Sequence, residues 1–210
     1  RLSPDGSAIT PGATSWAIPI PPATPVATSG ASVPQEEITM SSSTFPTATI
    51  LGYPRIGRNR ELKRALESFW AGRTTAPQLL ASTDVLRRRT FERLSELGLN
   101  SSIGAIPDSS TLYDHVLDAT VLLGAIPQRF SGDAVELYFA LARGTQDAPP
   151  LEMTKWFDTN YHYLVPEIGP DTPIGYADTS VVNRWASASD WGWVTRPVLV
   201  GPVTYVALAK

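Results

Sequence analysis

From Pro46 onward, short apolar runs alternate with segments whose apolar residues recur at helical spacing, and few folds satisfy that alternation. A strand, a helix and a further strand close most simply as a parallel βα unit, since a parallel neighbour is reached only by a crossover. Thr47–Leu51 reads as a buried strand ending at Gly52. Leu62, Ala65, Leu66, Phe69 and Trp70 then predict a helix closed by Gly72. A second helix is expected after Thr75, with Leu79, Leu80, Thr83, Leu86, Thr90, Leu94 and Leu97 as its stripe and Gly98 as its end.

The pattern continues with a strand over Leu99–Ile106, leading to Pro107. A helix follows over Leu112–Leu123, capped by Ser110 or Thr111, and another over Ala134–Arg143. Leu151–Phe157 is expected as a strand, Ile174–Ala177 as a shorter one and Ser180–Ala188 as a helix. Arg196–Pro202 is the final strand, and Tyr205–Lys210 opens one more helix. The expected class is α/β: a partial (β/α)8 TIM barrel of three to four βα units, or a small open sheet. A barrel interrupted at its fourth strand would leave open edges and half-covered apolar faces.

Residues 1–45 differ in kind. They hold seven of the 19 prolines among serine, threonine, alanine and glycine, with Trp16 and Phe45 as the only aromatics. Such a stretch cannot bury enough apolar surface to offset its chain entropy, so a disordered leader is expected there, with 46–210 as the folded part. Met40 is a plausible natural start. The apolar stretch Trp16–Ala27 is broken by four prolines, so it makes neither a signal peptide nor a membrane span. A net charge of −3 gives no basic footprint for nucleic acid. A cytoplasmic protein is the resulting expectation.

Two segments carry the chemistry. Arg55–Arg64 holds a net charge of +4 at a predicted helix start within an acidic chain. Basic side chains there gain nothing from the macrodipole, whereas a bound carboxylate or phosphate would gain from both. The competing explanation is a solvated basic face. Glu152-Met-Thr-Lys-Trp-Phe-Asp-Thr-Asn-Tyr-His-Tyr-Leu-Val-Pro-Glu167 interleaves aromatics with Lys155, Asp158, Asn160, His162 and Glu167, the mixture of a mostly apolar pocket with a few placed polar groups. Lys155, at a strand end, reads as functional; His162 reads as a hydrogen-bonded histidine. Asp114 and His115 are adjacent on a predicted helix and point apart, which favours a structural role. With two histidines and no cysteine, a zinc site built from this segment alone is not expected. No nucleophile elbow, Walker A or dinucleotide fingerprint occurs in a supporting context.

Taken together, Leu51-Gly-Tyr-Pro-Arg-Ile-Gly57, Arg60-Glu-Leu-Lys63, Tyr113-Asp-His-Val-Leu-Asp118, the long aromatic motif and Arg196-Pro-Val-Leu-Val-Gly-Pro-Val-Thr204 resemble the amino-terminal barrel of the cobalamin-independent methionine synthases, in an actinobacterial style. The resemblance implies two face-to-face (β/α)8 barrels in a longer chain, of which this sequence would be an amino-terminal fragment. It implies transfer of a methyl group from 5-methyltetrahydropteroyltriglutamate to L-homocysteine, forming L-methionine. It also implies a zinc ion held by cysteine, histidine and glutamate outside these residues, and a monomer. The family's folate contacts fall on Arg60, Glu61, Leu62, Lys63 and Lys155. No catalytic or metal-ligating residue is expected in this chain, which alone would be inactive. Tyr176–Thr195 departs from the family pattern. The alternatives are a stand-alone, non-catalytic folate- or anion-binding module and a non-functional truncated product.

Overall fold

Helix boundaries follow local capping chemistry closely. The computed structural model describes residues 46–210; the expected disordered leader lies outside the described residues. α1 (Glu61–Trp70) closes on Gly72, whose φ of 66° only glycine adopts without cost. Gly72 N–H donates to Phe69 O and Arg73 N–H to Ser68 O, the paired bonds of a Schellman stop. α2 (Ala76–Glu96) begins with a capping box: the Thr75 hydroxyl accepts from Gln78 N–H, and the Gln78 side chain accepts from Thr75 N–H at 2.9 Å. Its stripe is rotated from expectation. Leu79, Arg87, Phe91 and Leu94 are buried, while Leu80 and Leu97 face solvent. Hydropathy skips an arginine, and Arg87 is the residue on which that face turns.

β1 (Ile106–Asp108) forms around Pro107 rather than before it. α3 (His115–Leu122) starts later than expected because Asp114, not Ser110 or Thr111, is its cap: Val116 N–H donates to the Asp114 carboxylate at 2.7 Å. α4 (Ala134–Arg143) matches expectation at both ends. β2 (Met153–Lys155) and β3 (His162–Leu164) pair antiparallel, with Lys155 opposite His162. The aromatic motif is thus a hairpin, where a single strand was expected. α5 (Ser180–Asp190), β4 (Thr195–Pro197) and α6 (Pro202–Ala207) complete the described elements.

Two expected strands do not form. Thr47–Leu51 is irregular and exposed, tied down by Thr49 Oγ1, which donates to Ala105 O at 2.7 Å just before β1, and by Arg196 of β4, which donates to Ile50 O at 2.8 Å. Ile174–Ala177 is irregular, its Gly175 and Ala177 N–H groups donating to Leu123 O and Leu122 O. The parallel expectation holds for one pair: β1 and β4 run parallel, Pro107 opposite Arg196, with α3, α4 and α5 in the crossover. The architecture is therefore mixed, helices around two small two-stranded sheets.

Three apolar clusters hold it. Leu62, Leu66, Leu79, Leu117, Phe139 and Leu164 join α1, α2, α3, α4 and β3. Val116, Tyr163 and Tyr205 join α3, β3 and α6. Phe91, Leu94, Ile106 and Ala188 join α2, β1 and α5, with Trp191 and Trp193 packed against them.

Beside this last cluster lies a buried ion pair. Arg87 Nη2 donates to Asp108 Oδ2 at 2.7 Å and to Arg184 O at 2.7 Å, and Nη1 donates to Asp84 at 2.8 Å. Trp191 covers the guanidinium at 5.0 Å, which gives the atypical aromatic stretch a structural use. Removing one partner strands the other charge in the interior. Arg87→Ala should cost about 3–5 kcal/mol in urea unfolding, while Arg87→Met combined with Asp108→Leu recovers most of that loss.

Candidate functional site

The carboxyl end of β1 is the hub onto which both chemistry-bearing segments are fastened. Ser109 Oγ accepts Tyr53 N–H at 2.9 Å, and Leu112 O accepts the Arg55 guanidinium at 3.0 Å, so the basic loop is pinned along residues 109–112. Gly57 turns the loop at a φ of 82°, and a Cβ there would collide with the Glu61 carboxylate. Arg60 N–H donates to Gly57 O and Leu62 N–H to Ile56 O, closing the loop onto α1.

Each predicted contact residue is placed distinctly. Arg60 is exposed at the amino cap of α1 in the left-handed region, φ 61° and ψ 36°, with no side-chain cap bond. Glu61 folds back over the helix start, accepting Asn59 N–H at 2.9 Å and Asn59 Nδ2 at 3.3 Å. Its own backbone N–H, then Asn59, hold its carboxyl below the ordinary value. The anion position at the helix start is therefore filled by the protein's own carboxylate. Lys63 pairs with Glu67 one turn on. Leu62 is buried in the first core cluster with its N–H engaged, so its part is to seat the segment. Arg58, Arg60 and Arg64 are exposed and make no ion pair among the described residues.

Lys155 is exposed at the end of β2, beside His162 across the hairpin, and His162 Nδ1 bonds Asn160 O at 3.0 Å. Trp156 organises the turn, with Phe157, Tyr161 and Tyr163 edge-on at 5.6, 6.3 and 5.8 Å. Among the described residues no hydrogen bond or ion pair joins Lys155 to Arg60 or Lys63. The two segments are joined instead through residues 109–114, which Arg55 reaches from the loop and Asp114 ties to the hairpin at Leu164, while burial raises the hydroxyl of Tyr161, packed beside Trp156, above its ordinary value. Neither Arg55 nor Tyr161 stood among the predicted contacts. The only sequence signals for them are the Pro54-Arg55 turn and the aromatic density of the motif.

Among the described residues, Arg60 and Phe157 are the only non-glycine positions with positive φ, and one lies in each segment. Such conformations cost about 1–3 kcal/mol each and concentrate where function holds the chain in place.

The hairpin is fixed to α3 by Asp114, whose second oxygen accepts Leu164 N–H at 3.1 Å. Burial pushes this carboxyl up to about 6, against the N–H groups of Leu164 and Val116 and with help from the nearby Asp118 charge. A carboxyl with a raised folded pKa takes up a proton on folding. Its contribution is therefore full below the unfolded value, near about 4, and is lost as pH rises through about 6. In Asp114→Asn one amide oxygen replaces two acceptors, so the variant should lose about 1–3 kcal/mol. Its deficit against the parent should widen by about 1 kcal/mol between pH 7 and pH 5 in denaturant titrations.

On a mixed α/β scaffold, the cationic loop and the tryptophan-centred hairpin are thus both fastened to residues 109–114, past the carboxyl end of β1. Comparison with known proteins shows the family. The family described as cobalamin-independent synthase, N-terminal domain, matches residues 47–210, and the chain belongs to that family. It is 51% identical over 175 residues to the 5-methyltetrahydropteroyltriglutamate–homocysteine methyltransferase of Streptomyces coelicolor, covering 81% of this chain and 22% of that protein. Its counterpart in Streptomyces griseus is 51% identical over 168 residues, covering 78% and 21%. That of Mycobacterium tuberculosis is 51% identical over 167 residues, covering 78% and 22%. The chain thus spans about a fifth of the length of these relatives.

Proposed function

We propose that residues 46–210 are the first three to four βα units of the amino-terminal (β/α)8 barrel of a monomeric, cytoplasmic methyltransferase. That enzyme would move the methyl group of 5-methyltetrahydropteroyltriglutamate to L-homocysteine, and this part of it would supply folate- and polyglutamate-binding surface. The family match over 47–210 carries the assignment. The exposed cations around Arg60 support the role within it: a triglutamate tail is a short string of carboxylates, and arginine forks suit them. Exposed Leu199, Val203 and Val206 on and before α6 fit further strands and helices packing there. The assignment to a larger enzyme favours this reading over a stand-alone binding module.

In this reading Arg60 and Lys63 receive tail carboxylates, Lys63 exchanging its Glu67 partner for the ligand. Glu61 keeps the helix start occupied, so the tail meets side chains rather than backbone. Leu62 anchors the turn, and Lys155 meets the ligand from the hairpin. Zinc does not fit the residues present. The chain has no cysteine, its two histidines are bonded to Ser109 O and Asn160 O, and among the described residues no group of three potential ligands stands together. The ion, and the homocysteine it would bind as thiolate, belong to other residues of the complete enzyme.

Calorimetric titration should show the triglutamate form of the folate binding more tightly than the monoglutamate, with the difference shrinking as salt rises. Lys63→Ala should lower triglutamate affinity several-fold; equal affinity for the two forms, untouched by Lys63→Ala, would reject the basic loop as receptor. Arg60→Gly should separate strain from function, since glycine takes the left-handed conformation freely. Its melting temperature should equal or exceed the parent's while triglutamate affinity falls. A polypeptide of these 210 residues, given zinc and both substrates, should form no methionine, and measurable turnover would contradict the assignment of the chemistry to other residues.

A further inference from the structure

A partly open cavity of about 170 Å³ lies past the carboxyl end of β4, between α3, α5 and α6. Most of its wall is apolar, from Leu122, Val181, Val198 and Tyr205, and one side is polar, from His115, Asp118 and Arg184. Drug-sized sites are larger, about 300–1,000 Å³, so the fitting occupant has amino-acid dimensions.

The polar side is unbalanced. Asp118 Oδ1 accepts the Tyr138 hydroxyl at 2.7 Å, yet no cation forms an ion pair with this carboxylate among the described residues. Burial pushes its carboxyl above the ordinary value, and the Arg184 charge opposes that without touching it. Arg184 gives one donor, Nη1, to Ser110 O at 3.0 Å, and its other guanidinium N–H groups make no hydrogen bond among the described residues. His115 is held by Ser109 O at 3.0 Å. A carboxylate on the wall of an apolar cavity is costly unless something positive meets it. A guanidinium with spare donors beside it suits a second, negative group.

We propose that this cavity binds a small aliphatic α-amino acid, its ammonium on Asp118, its carboxylate toward Arg184, and its side chain against Leu122, Val181 and Val198. The inference rests on neither the barrel nor the methyl transfer, and its failure would leave the folate surface untouched.

Three probes of matched length separate the charges: norleucine, n-pentylamine and hexanoate, each titrated calorimetrically into the 210-residue chain. Norleucine should bind one-to-one and raise the melting temperature. Pentylamine should bind roughly tenfold more weakly and hexanoate more weakly still. Asp118→Asn keeps an acceptor for Tyr138 and should cut norleucine affinity about tenfold or more. Leu122→Trp fills the cavity without altering its polar groups and should abolish binding, which decides the matter should Asp118→Asn not fold. Absence of saturable norleucine binding, hexanoate binding as tightly as norleucine, or unchanged affinity in Leu122→Trp would each overturn the proposal.

Discussion

The buried contact between Arg87 and Asp108 is the constraint on which the described fold depends. It joins the middle of α2 to the last residue of β1 and, through Arg184 O, to α5. Burial works against the Asp108 carboxylate. The Arg87 charge and hydrogen bonds, with the Ser110 hydroxyl, outweigh it and hold the carboxyl below its ordinary range. The pair is therefore charged where it stands, and neither partner can leave the other. A short parallel sheet of three-residue strands has few ladder bonds to define it. A charged contact at its end fixes the direction in which the chain leaves β1, which the apolar clusters alone would not.

That exit direction decides everything downstream. Residues 109–114 offer one acceptor after another: Ser109 Oγ to Tyr53, Ser109 O to His115, Ser110 O to Arg184, Leu112 O to Arg55, and the Asp114 carboxylate to Val116 and Leu164. Six residues thereby gather the basic loop, the start of α3, the middle of α5 and the aromatic hairpin. In parallel α/β proteins ligands collect at strand carboxyl ends, and here distant segments of the chain meet at one for a local reason. The backbone leaving the strand has spare polar groups, and side chains from distant segments satisfy them.

The helices were largely legible in the sequence, because Thr75 with Gln78, Gly72, Gly98 and Gly124 act through bonds a few residues long. The strands were not. Thr47–Leu51 has strand composition, yet β-structure needs a partner, and composition does not supply one. The hairpin was missed for a related reason: antiparallel pairing of Lys155 with His162 is set by a turn at Phe157, whose φ of 47° no propensity scale would assign to phenylalanine. Arg87 was invisible to hydropathy because its burial depends on Asp108, 21 residues away. For the candidate site, the sequence reading picked out both segments but not the polar groups of Ser109, Leu112 and Asp114 that fasten them to one strand end.

The strain in those two segments argues for what they are for. Arg60 sits where glycine would be cheaper, and Glu61 spends its carboxylate on the helix start that an outside anion would otherwise take. A loop selected only for stability would place glycine at position 60, whereas the Glu61 carboxylate itself stabilises the helix start. Together they leave the dipole satisfied from within and the arginines exposed, so that in the proposed function anion recognition would fall to exposed, adaptable forks rather than to fixed backbone donors. Backbone donors at a helix start suit one compact anion such as a phosphate. A row of mobile cations suits carboxylates spaced along a flexible chain, which is the chemistry a polyglutamate tail presents.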